Sequence, residues 1–166
     1  VLHFPSGTAE GSPSIYCNYS YRHPATVEWG AGGSSALGSW SSELGEVFFQ
    51  ALSTRGLNVA GDPADLFKRS KSAGTAEYLV GARVTEVRGN ICHMHHWFDG
   101  RPLNEFIAEI YVDVEWTVFS SVTQQDVLGL RTQGAVKPVQ GKRQTVLIAF
   151  QDAFAAASEK LLASRE

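Results

Sequence analysis

Cys92-His93-Met94-His95-His96 is the densest run of potential ligands in the chain. Thiolate and imidazole bind zinc and copper, and His93 and His95, two residues apart, share one face if the segment is a strand. The chemistry on offer is metal binding or metal-assisted hydrolysis. A structural zinc site needs about four ligands, and the remaining histidines, His3 and His23, form no second cluster to complete the set. The expectation is therefore no resident metal and no cofactor. His93, His95 and His96 read as imidazoles at a strand end, and a small metal-dependent hydrolase or metal-binding protein built on them is the alternative.

Other reactive side chains have plainer explanations. Nucleophilic catalysis needs a Ser or Cys beside a His and an orienting acid, and no serine sits in a Gly-x-Ser-x-Gly elbow. Glu109, Asp113 and Glu115 share one face of an alternating segment with Tyr111, which reads as a solvated strand face. Gly30-Ala31-Gly32-Gly33 lacks the ending and spacing of a phosphate loop. No catalytic residue is assigned. Tyr16, Tyr19, Tyr21, Trp29, Trp97 and Phe98 are an aromatic set suited to a core, a small-ligand pocket or an interface. Core is the expectation for most of them and interaction for Trp97 and Phe98.

The two cysteines, Cys17 and Cys92, each lie in a strand-like segment. One disulfide in an oxidising compartment fits an even count, and two buried thiols fit as well.

These groups need a scaffold, and 166 residues suffice for one domain with a self-sufficient core. Charged residues make up 19% and the net charge is −3, with no basic face broad enough to favour nucleic acid. No apolar run reaches the ~18 residues of a membrane-spanning helix. Residues 1–14, rich in Gly, Ser and Pro without periodicity, read as a flexible amino-terminal arm, and 15–166 as a single domain.

Between Glu109 and Ser120, Ile110, Val112, Val114, Trp116 and Val118 alternate with a mixed set, the period of a strand with one dry face. A strand in two pieces is predicted from Ile15 to Trp29, a short one over Leu57–Val59, one over Tyr78–Arg88 continuing after a bend at Gly89-Asn90 to Phe98, and a hairpin partner over Val127–Val136. Trp40, Leu44, Val47, Phe48, Ala51 and Leu52 form a helical stripe, with Ser39, Ser41 and Ser42 as candidate N-caps and Gly56 as C-cap. Asp62-Pro63-Ala64-Asp65 starts a short helix to about Ser72. Leu147, Phe150, Phe154, Ala157 and Leu161 stripe a closing helix from Thr145 to Ala163. This order predicts an α/β (α+β) two-layer sandwich, a mixed sheet of four or five strands with helices on one face.

The segment Ala76-Glu77-Tyr78-Leu79-Val80-Gly81-Ala82-Arg83-Val84-Thr85-Glu86-Val87, followed by Val112-Asp113-Val114-Glu115-Trp116, a hairpin and a terminal helix, resembles a phrase of bacterial envelope proteins. The order is similar to the α/β domains of the curli-secretion lipoprotein, the penicillin-binding-protein activator lipoproteins and the amino-terminal part of the Tol β-propeller protein. Val87-Arg88-Gly89-Asn90-Ile91-Cys92 also resembles the region before the protease domain of some trypsin-like envelope proteins. The likeness spans residues 40–163. It implies a non-catalytic periplasmic or outer-membrane-associated module that binds another envelope protein or associates with itself. The module would stand alone or as an accessory part of a longer precursor.

Overall fold

A strand that buries every second side chain needs a partner on each edge and a layer over its dry face, and the computed structural model supplies both. It describes residues 2–3, 7–10, 22–24, 26–29, 40–59, 76–137 and 145–164. The elements are β1 (Leu2–His3), β2 (Gly7–Glu10), β3 (Arg22–Pro24), β4 (Thr26–Trp29), α1 (Trp40–Thr54), β5 (Tyr78–His95), β6 (Pro102–Ser120), β7 (Gln125–Val136) and α2 (Val146–Ala163).

The main sheet runs β1-β5-β6-β7, with β3 also on the outer edge of β5. β5, β6 and β7 form an antiparallel meander, in which Val84 is the Cα partner of Val114 and Trp116 that of Leu130. β1 joins β5 in parallel, which makes the sheet mixed as expected. β2 and β4 form a separate antiparallel pair beside β5.

Both helices pack on one face of the sheet. Ile110, Val112, Val114 and Trp116 meet Leu44 and Phe48 of α1 and Phe150, Ala153, Phe154 and Ala157 of α2 in one buried cluster. Trp116 is its centre, with Phe48 stacked at 5.1 Å and Phe154 tilted against it at 5.6 Å between ring centroids. Each buried phenylalanine contributes about 1.5–3 kcal/mol through area removed from water. The α+β sandwich with helices on one face is thus the architecture of the described residues.

Helix ends follow local chemistry. Leu57 N–H donates to Leu52 O at 3.1 Å and Gly56 N–H to Ser53 O at 2.9 Å, a Schellman pair with Gly56 at φ 73°, as its C-cap role requires. Thr145 caps α2 by accepting from the Ile148 amide at 3.2 Å.

Several expectations need correction. Leu2–His3 and Gly7–Glu10, read as parts of a flexible arm, are strands, because their backbones pair with β5 and β4. Leu57–Val59 is not a strand. Ser41 and Ser42 lie inside α1 rather than capping it. β5 passes straight through Gly89-Asn90, and its irregularity falls instead between Val84 and Glu86, where Thr85 is inserted. β5 also stops at His95, so Trp97 and Phe98 belong to a turn. The predicted helix near Asp62–Ser72, the loop at 30–38 and the strand start at Ile15 lie outside the described residues.

Candidate functional site

The β5–β6 connection projects two aromatic side chains. Trp97 is 80% and Phe98 79% exposed, and their rings meet edge-on at 5.6 Å. Around them the turn is closely tied. His96 N–H donates to Arg101 O at 2.8 Å, and Gly100 N–H to His96 O at 2.9 Å. Gly100 sits at φ 67°, a left-handed conformation that glycine adopts without a Cβ clash. Asp99 Oδ1 accepts from the Arg101 amide at 3.1 Å, and its Oδ2 lies 3.3 Å from Arg101 Nε. The interaction role expected for Trp97 and Phe98 therefore falls on a preformed, solvent-facing turn.

The histidines serve that turn. His95 Nδ1 lies 3.1 Å from Gly100 O and, protonated, donates to it. His96 Nδ1 lies 3.1 Å from Asp99 Oδ1 and 3.4 Å from the Phe98 amide. With a proton on Nδ1 it donates to Asp99; without one it accepts from Phe98. A register irregularity falls between His93 and His95, interrupting the alternation on which a shared face depends. The side chain of His93 lies outside the described residues. Among the described residues no group of three or more His, Cys, Asp or Glu could hold a metal ion.

A second polar group occupies the sheet face opposite the helices, and the solvated-face reading fails there for Asp113. Its carboxylate is buried at 2% exposure, whereas Glu115 on the same strand is exposed. Arg131 Nη2 donates to Asp113 Oδ2 at 3.0 Å and Tyr111 Oη to Oδ1 at 3.4 Å. Arg88 lies over the Tyr111 ring at 4.1 Å and pairs with Glu86 at 3.1 Å. Burial pushes the Asp113 carboxyl up, but hydrogen bonds from Arg131 and Gln133 and the Arg131 charge outweigh it and hold the group below its ordinary value. Such a carboxylate is a weak base at neutral pH. Alternation alone could not reveal this site, because Asp113 takes the same place on its strand whether or not an arginine reaches it diagonally from β7, where Gln133 stands directly opposite.

Cys92 is fully buried on that same face, and among the described residues there is no free cysteine. Its Cα partners are Pro24 on β3 and Ile107 on β6, and Cys17 lies outside the described residues. Tyr16, Tyr19 and Tyr21 lie outside them as well, so of the expected aromatic set only the Trp97 and Phe98 side chains are described. Among the described residues no helix is long and apolar enough to cross a membrane.

Fold and site together define an α+β sandwich carrying an aromatic turn at one end of its sheet. The chain matches no known family model and no curated relative.

Proposed function

We propose that this chain is a non-catalytic cell-envelope domain that binds another envelope protein or assembles with copies of itself, and that the Trp97–Phe98 turn is its contact element. The observation that carries the reading is the near-complete exposure of two adjacent aromatics on a tied turn. Aromatic side chains bring roughly 150–250 Å² each to an interface and are frequent hot spots. Hydrogen bonds that fix the turn beforehand lower the ordering cost of binding. The same exposure would be a liability in a chain with no partner.

The well-formed polar cluster of the sheet supports the non-catalytic part. Asp113 is filled with donors and held ionised, which suits a structural carboxylate better than a proton acceptor. The placement in the periplasm or at the outer membrane rests on the resemblance of residues 76–87 and on a Cys17–Cys92 bridge. β3 begins five residues after Cys17 and lies beside the stretch of β5 that holds Cys92, so the bridge would join neighbouring segments. A mass gain of two hydrogens on reduction of the intact chain is the expected sign of it, and an unchanged mass contradicts it.

The test of function replaces Trp97 and Phe98 by Ala together. Thermal unfolding should stay within a few degrees of the parent, because both side chains are already in water. Binding to an envelope fraction should be lost. Undiminished binding by the double variant would sink the reading.

A further inference from the structure

The outer edge of β7 is the sheet's longest unpaired border among the described residues. Among the described residues β7 pairs only with β6, and its 12 residues hold no proline and a single cation, Arg131. Natural edge strands are blunted by lysines, prolines or short length, and β7 has little of this protection. Leu128 and Leu130 lie half-buried on the helix side, and Val127 is bulged and exposed.

From this edge we infer that a second copy of the chain pairs antiparallel with β7 about a two-fold axis at Gly129, joining two sheets into one. This goes beyond the contact role given to the Trp97–Phe98 turn and concerns a second, separate surface. A two-fold axis perpendicular to the sheet keeps each side chain on its own face, so opposed residues must share a face, and one residue must meet itself. Register on Arg131 would set two guanidinium groups opposite each other. Register on Gly129 removes that repulsion. It sets Leu128 against the partner's Leu130 on the helix side. On the other face it places Arg131 opposite the bulged pair Asp126-Val127 of the partner subunit, a cation against an acid. The Arg131 side chain is 54% exposed beyond its contact with Asp113, so it can reach across. Gly129 has nothing within 4 Å of an added Cβ, so a larger side chain fits at the axis position of the monomer.

The same open space permits a clean test. Gly129→Lys is accommodated by the monomer and sets two ammonium groups face to face at the axis. Sedimentation of the parent should show a dimer whose fraction rises with concentration, and Gly129→Lys, with unchanged circular dichroism, should weaken it by roughly tenfold or more. Gly129→Cys should form an intermolecular disulfide under mild oxidation, since opposed residues at such a position are close enough to bridge. That cross-link keeps the test decisive if the lysine variant does not fold. A parent that stays monomeric at its highest soluble concentration overturns the inference, as does a dimer indifferent to Gly129→Lys with no Gly129→Cys cross-link. Replacing Trp97 and Phe98 by Ala should leave the dimer intact. The turn lies fifteen residues along β6 from the partner position of Gly129, from Pro102 to Thr117. At the rise of a strand that is roughly 50 Å, so loss of turn binding and loss of dimer are separate outcomes.

Discussion

Trp116 donates its indole N–H to Thr132 Oγ1 at 2.7 Å, and the Thr132 hydroxyl donates in turn to Ala157 O at 2.9 Å. One threonine thus ties the central ring of the core to β7 and to the backbone of α2. Thr132→Val keeps the shape and removes the link, leaving the buried indole N–H without its acceptor. The expected loss is about 1–3 kcal/mol, read from the denaturant midpoint. A change near zero would mean that the indole finds another acceptor and that the link is not structural.

At Gly134 the backbones of α2 and β7 come close together. A Cβ there would stand 1.8 Å from Ala153 O and 2.8 Å from Ala157 N, both backbone atoms of α2. Gly134→Ala must push the helix off β7 and should cost at least about 3 kcal/mol, at the high end of overpacking. Gly129→Ala, five residues earlier with open space around it, should change stability by less than about 0.5 kcal/mol. Comparing the two melting curves checks the packing of α2 directly, and equal effects would contradict it.

Asp113 gives stability a defined pH dependence. Its folded carboxyl titrates below the ordinary value of 3.8, because bonds from Arg131 and Gln133 outweigh burial. A depressed folded pKa means a contribution fully present above the unfolded value and lost as pH falls through the folded one. Asp113→Asn removes the titration. The stability gap between parent and variant should therefore be constant near neutrality and close as the pH drops below 3.8. A gap that widens in acid would reverse the sign and contradict the pairing with Arg131.

Much of the fold was legible in the sequence because burial imposes a period. The even-numbered residues from Ile110 to Val118 are all buried, and the stripes of α1 and α2 supply Leu44, Phe48, Phe150 and Phe154 to the same core. The Gly56 cap was legible for a local reason, since a left-handed residue at a helix end selects glycine. Strands β1 and β2 were not. Their residues carry no alternation, and their pairing depends on partners far along the chain, Ala82 and Trp29 among them. The insertion at Thr85 was hidden likewise, since a bulge is a property of two strands and not of one.

The candidate site divides along the same line. Exposure of Trp97 and Phe98 was foreseeable from their place beside a turn composition, although the strand was expected to run through them. The burial of Asp113 was not, since Arg131 is 18 residues distant and only the register of β6 against β7 brings it across the sheet. The histidines drew attention as ligands, whereas His95 and His96 use Nδ1 contacts to hold the turn that presents the aromatics.

The most direct test of the contact-element claim is site-specific photo-cross-linking in the cells that make the protein. A benzophenone side chain placed at Phe98 should yield one discrete adduct, and the same group at the exposed Ser53 of α1 should yield none. No adduct from Phe98, or the same adduct from both positions, would contradict the account.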